Sequence, residues 1–125
     1  MHLIIGGAFQ GKTDWAKAHF GLEDADIFEY QPGCTPSFSA PCITHLERFV
    51  LDCLRRGEDP RQVLLEYKYL WQDSVLICED ISCGVVPIDG ELRAWREACG
   101  RLLSMLSARA ETVTRLFCGL PQRLK

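Results

Sequence analysis

No run in this chain approaches the ~20 consecutive apolar residues that a membrane span needs. The short apolar opening has no charged segment ahead of it and runs straight into a glycine loop, the pattern of a strand rather than a leader. CxxC pairs are absent, which removes the usual zinc spacing. Seven cysteines are nevertheless present: Cys34, Cys42, Cys53, Cys78, Cys83, Cys99 and Cys118. Their number is odd and their spacing irregular, and most sit in apolar runs, where a thiol packs as a small hydrophobe. They are expected to be reduced, in a cytoplasmic protein. Strong charge of either sign is lacking too. A formal net charge of −3 over 125 residues gives no overall attraction to nucleic acid or anionic lipid. No repeat, low-complexity block or linker divides the chain, and its length suits one domain over residues 1–125.

What is present is an alternation of apolar runs and helical spacings. Leu3, Ile4 and Ile5 read as a buried strand closed by Gly6 and Gly7. Trp15, Ala16, Ala18 and His19 keep helical spacing up to a stop at Gly21. A weaker strand is expected over 25–30, then a loop rich in Pro, Gly and Ser. Thr44 and Glu47 form a T-x-x-E capping box before a helix with Leu46, Phe49, Val50, Cys53 and Leu54 on one face and Gly57 beyond its end. Asp59-Pro60 opens another helix, striped by Val63, Leu64, Tyr67 and Trp71. Ser74–Ile81 reads as a central parallel strand. After a Gly84–Pro87 turn, Asp89 caps a long helix carrying Leu92, Trp95, Cys99, Leu102, Leu103 and Leu106. A final strand runs over 113–118, ended by Gly119 and Pro121. Strands alternating with helices predict a three-layer α/β fold with a mostly parallel sheet.

Residues 6–13 read Gly6-Gly7-Ala8-Phe9-Gln10-Gly11-Lys12-Thr13, a match to G-x-x-x-x-G-K-[ST] between a predicted strand and a predicted helix. That is the pattern of a P-loop NTPase-like fold binding ATP or GTP. Backbone N–H groups must converge on phosphate oxygens, and the glycines remove the side chains that would block them. The helix start adds partial positive charge. Lys12 supplies a full charge for the β- and γ-phosphates, and Thr13 offers a hydroxyl to Mg²⁺. Such a loop works with a carboxylate at the end of a neighbouring strand. Glu79 and Asp80 both qualify; successive strand residues face opposite ways, so one of them should face the phosphates. Asp80 is the favoured metal contact or general base, with Glu79 the alternative, and a solvated pair of acids is the plain structural reading.

The run Glu79-Asp80-Ile81-Ser82-Cys83-Gly84-Val85-Val86-Pro87 resembles the N-E-V-G-x-G-I-V-P motif of the adenosylcobinamide kinase/adenosylcobinamide-phosphate guanylyltransferase family. The resemblance continues through Arg93, Trp95, Arg96, Gly100 and Arg101, then Ala108–Ala110, Val113, Gly119 and Lys125. With the opening Leu3–Ala8 it covers about half of the chain. Members are longer by about a third, the shortfall falling between Gly57 and Ser74. There the family has a further strand, whereas Asp59-Pro60 predicts a helix here.

The resemblance implies a cobalamin-assembly enzyme. Such an enzyme phosphorylates a hydroxyl of the corrinoid adenosylcobinamide with ATP or GTP. It then transfers GMP to that phosphate through a guanylylated histidine. His45 follows the second predicted strand, as the family nucleophile does, although the Arg and Trp spacing after it differs. At a helix start the dipole favours the neutral, nucleophilic imidazole; an ordinary surface histidine fits the position as well. The resemblance also implies a homo-oligomer. Two other readings remain open: a non-catalytic nucleotide-binding subunit, and a P-loop kinase for another small hydroxylated substrate.

Overall fold

The computed structural model describes residues 1–81 and 89–125. The expected Gly84–Pro87 turn, Cys83 and most of the resemblance motif lie outside the described residues. The strands, in chain order, are β1 (His2–Gly6), β2 (Ile27–Glu29), β3 (Cys42–Thr44), β4 (Val75–Glu79), β5 (Thr112–Phe117) and β6 (Leu120–Arg123). The helices are α1 (Lys12–Phe20), α2 (Leu46–Arg55), α3 (Pro60–Glu66), α4 (Lys68–Trp71) and α5 (Gly90–Arg109). Among the described residues the strands form one six-stranded sheet in the order β2-β3-β4-β1-β5-β6. All neighbours are parallel except β5 and β6.

Parallel pairing explains the apolar runs of β1 and β4, because both faces of these strands are covered. Side chains alternate between the faces. Ile4, Cys42, Val75, Ile77 and Leu116 pack under Ala16 of α1. Leu3, Ile43, Leu76, Cys78 and Val113 pack on the other face against α2, α3 and α5, with Phe49, Leu64 and Leu102 fully buried there. Helices on both faces are compatible with three layers. The predicted stops and caps hold where they are local. Gly21 is left-handed, with φ 65°, and closes α1. Asp59 accepts the Arg61 N–H at the start of α3. Asp89 accepts the N–H groups of Glu91 and Leu92 at the start of α5.

The stretch after Asp59 is helical, as the Asp-Pro signature predicts, but it does not run unbroken to Trp71. The Leu64 carbonyl accepts the Trp71 indole N–H at 2.8 Å and the Tyr67 N–H at 3.1 Å. This tight turn separates α3 from α4 and buries Trp71. Two strands were not expected. β3 is only three residues long, and β6 contains Pro121. Proline fits because β6 is the edge of the sheet, where a missing N–H breaks no inner ladder. Cys118 and Gly119 between β5 and β6 both have positive φ, 51° and 75°, so they form a two-residue hairpin turn of the twist-matched kind.

Register now sets the geometry of one sheet end. Gly6 pairs with Glu79, and Thr44 ends β3 beside β4. The loop after β1, the start of α2 and the end of β4 therefore meet at the carboxyl ends of the strands, where ligands bind in open α/β sheets.

Candidate functional site

The loop leaves β1 at Gly6, whose carbonyl accepts the Asp80 N–H at 2.7 Å. A Cβ on Gly6 would sit 2.7 Å from the Leu116 carbonyl oxygen of β5, so the two backbones approach too closely for a side chain. The chain turns through Ala8 and Phe9, with Phe9 at φ 58° and its ring wholly exposed. Gly11, at φ 82°, begins α1, which has no side-chain cap. Lys12 folds back over the loop, and its Nζ donates to the Gly7 carbonyl at 2.6 Å. Gln10 ties the loop to the β5–β6 turn: its side-chain oxygen accepts the Cys118 N–H, and its carbonyl accepts the Gly119 N–H at 3.1 Å.

A cleft of about 390 Å³ opens beside this loop. Ala8, Phe9, Gln10, Gly11, Lys12, Thr13 and Asp14 form one wall. Thr44, His45, Glu47 and Arg48 form the other, and Ile77 and Glu79 the floor. Gly6 and Gly7 underlie the wall without lining it. Strand alternation places Glu79 with Ile77, on the cleft side. Asp80 follows Cys78 toward the opposite face. Its charge adds to burial and to Glu47 in pushing the thiol of Cys99 up to about 12. Of the two acids at the end of β4, Glu79 lines the cleft and Asp80 does not, whereas the sequence favoured Asp80; alternation is legible in the sequence, but its phase is not.

The capping box between Thr44 and Glu47 does not form. Thr44 belongs to β3, where its carbonyl accepts the Tyr30 N–H at 3.2 Å. The N-cap is His45, in the left-handed region with φ 60° and without a side-chain cap. Glu47 turns inward instead. It is 2% exposed. Its Oε1 accepts the Glu79 N–H at 3.1 Å and lies 3.2 Å from His45 Nδ1. Its Oε2 is buried and has no partner among the described residues. Burial raises the Glu47 pKa and nearby Glu79 adds to this; His45 and the Glu79 N–H oppose it. Sequence reasoning missed Glu47 as a site residue. Its signal was its place three residues before Val50 and seven before Leu54, inside the apolar stripe.

His45 is half-buried, with Nε2 3.5 Å from Glu29 Oε1 on the outer side. Arg48 donates to the Tyr30 carbonyl, Gln31 and Glu29. The other basic and ring candidates lie elsewhere. Arg101 pairs with Glu97, Arg93 is exposed on α5, His19 stacks on Trp15, and His2 bonds Thr112. Trp95 is half-buried against the core, and its indole donates to the Glu47 carbonyl at 2.7 Å. Among the described residues no group of three or more His, Cys, Asp or Glu side chains is arranged to hold a metal, and no helix is long and apolar enough to cross a membrane. All six described cysteines are free. No family model matches this chain, and no curated protein matches it.

Proposed function

We propose that the chain is a P-loop phosphotransferase that uses ATP or GTP on a hydroxylated corrinoid, and that it transfers GMP through His45. One observation carries this reading. The G-x-x-x-x-G-K-T loop stands between β1 and α1 with Lys12 curled over it, and it shares a cleft with Thr13, Glu79 and His45. In this reading Lys12 exchanges the Gly7 carbonyl for phosphate oxygens, a stronger charge-assisted contact. The first turn of α1 receives phosphate on its N–H groups. Thr13 and Glu79 fit Mg²⁺, which takes few protein ligands and keeps several waters. The ion, when bound, neutralises charge on the transferred phosphoryl group. Glu79 takes the role that the sequence offered first to Asp80, because it lines the cleft. The corrinoid and guanylyl parts rest on the resemblance described above. A corrin ring exceeds the cleft, so a second copy of the chain is expected to complete the site.

Titration of ATP and GTP with magnesium into the wild type and Lys12→Ala tests the core of this reading. Losing a charge-assisted contact of ~1.5–3 kcal/mol should weaken binding roughly tenfold or more. Equal affinity in the two proteins would remove the nucleotide site. Incubation with adenosylcobinamide and labelled nucleotide then tests the substrate. Binding without turnover would leave a non-catalytic nucleotide-binding protein, and turnover of another hydroxyl compound alone would reassign the acceptor.

A further inference from the structure

We propose that Glu47 is the positioning residue for His45, a buried carboxylate that holds the ring by its Nδ1–H and thereby presents Nε2 as the unprotonated nitrogen. The group-transfer consequence rests on the guanylyl reading above; the positioning itself does not. Three observations carry it. Glu47 Oε1 already accepts the Glu79 N–H, so toward His45 Nδ1 at 3.2 Å the same oxygen serves as a second acceptor. Glu47 is fixed at both ends, its carboxyl to β4 and its main-chain carbonyl to the Trp95 indole of α5. Finally, the side chain is costly where it stands. Its Oε2 is buried without a partner among the described residues, and an apolar residue would remove that penalty. A capping acid would reach back toward the Thr44 N–H, and this one does not.

The ring is held from the backbone too. His45 is left-handed at φ 60°, and its carbonyl accepts the Arg48 N–H at 3.0 Å. For a non-glycine residue such a backbone is strained and persists where the surroundings enforce it. Glu29 competes from outside, 3.5 Å from Nε2, and its side chain is 53% exposed against 3% for Glu47. A doubly protonated ring can serve both acids. Once one proton leaves, the shorter contact in the drier setting retains its hydrogen, because attraction grows as distance and effective dielectric fall. Nε2 then carries the lone pair. In the transfer step Nε2 attacks the α-phosphorus of GTP, and a nitrogen–phosphorus bond forms. The bond from that phosphorus to the bridging oxygen breaks, and pyrophosphate leaves with the electron pair. The Nδ1 proton stays on the ring, where Glu47 offsets the positive charge, as the carboxylate of a catalytic triad does.

Nitrogen NMR of labelled protein reads the tautomer directly, and three histidines make assignment simple when His45→Asn is the blank. Neutral His45 should be the Nδ1–H form in the wild type. In Glu47→Ala it should revert to Nε2–H, the form free imidazole prefers and Glu29 favours. Glu47→Gln keeps the Oε1 acceptor and should restore Nδ1–H. If Glu47→Ala fails to fold, Glu47→Leu fills the space without an acceptor. The same tautomer in the wild type and in the folded variant without an acceptor would overturn the proposal, as would an Nε2–H wild type. In parallel, α-labelled GTP should leave acid-labile, alkali-stable label on the wild type, at least about tenfold less on Glu47→Ala, with partial rescue in Glu47→Gln. An unlabelled wild type would refute guanylyl transfer, and the tautomer would still decide the role of Glu47. Full labelling of Glu47→Ala would overturn positioning while leaving guanylyl transfer intact.

Discussion

Replacing Gly6 with alanine places a methyl carbon 2.7 Å from the Leu116 carbonyl oxygen and 3.4 Å from Lys12 Cδ. Ordinary carbon–oxygen contact begins several tenths of an ångström further out. The obstacle is backbone, and it belongs to β5, which pairs with β1 from His2↔Thr112 to Ile5↔Arg115. No rotamer relieves it, so the strands must part locally or the loop must swing away. Overpacking of this kind costs about 1–3 kcal/mol. For a chain of this size each kcal/mol lowers Tm by roughly 3–6 °C. Gly7→Ala is the internal control. Its added carbon would meet nothing closer than Gln10 Cγ at 3.8 Å, an ordinary contact, and its φ is not in the left-handed region. Thermal melts followed by circular dichroism should therefore show Gly6→Ala clearly destabilised and Gly7→Ala close to the wild type. Equal melting temperatures for the two variants would refute the close approach of β1 and β5 at the loop.

Further outcomes follow from buried and strained groups. Burial raises the Glu47 pKa, so the folded state holds that proton more tightly than the unfolded one. Its contribution to stability is full below the ordinary carboxylate range and is lost as pH rises toward the raised value. Glu47→Gln should therefore gain stability over the wild type as pH rises from about 4.5 to 7 in a series of melts, and a constant difference would refute the burial argument. Phe9 combines φ 58° with full exposure, so Phe9→Asn should relieve about 0.5–1 kcal/mol of left-handed strain without losing any packing, read as a higher denaturation midpoint. Burial raises the thiol pKa of Cys42 to about 12 and of Cys53 to about 11. Alkylation mapped by mass spectrometry should mark exposed Cys118 in the native protein and reach Cys42, Cys53, Cys78 and Cys99 after unfolding.

Elements announced by their own residues were legible. The apolar run at Leu3–Ile5, the Asp59-Pro60 start, the Asp89 cap and the Gly21 stop each act within a few positions. β3 was hidden because three residues carry no usable period; Cys42–Thr44 extends because β2 and β4 lie on either side of it. β6 was hidden because Pro121 reads as a terminator until its edge position is known. Thr44 and Glu47 have the spacing of a cap, yet sheet pairing claimed Thr44 and moved the helix start to His45. The glycine loop that walls the candidate cleft was visible as a motif. The choice between Glu79 and Asp80 depended on which face of β4 carries α1, a fact of packing rather than of pattern.

The bonds from Gln10 to Cys118 and Gly119 also bear on the order in which the molecule is made. The glycine loop spans neighbours in sequence, but its resting shape depends on a turn from far along the chain. During synthesis from the N-terminus the loop emerges early and waits, since its support cannot form until residues 118 and 119 have been made and β5 has joined β1. Pairings across such separations form slowly. The loop should therefore be among the last parts of the fold to reach final form, and any nascent chain short of the hairpin would carry the motif without the geometry.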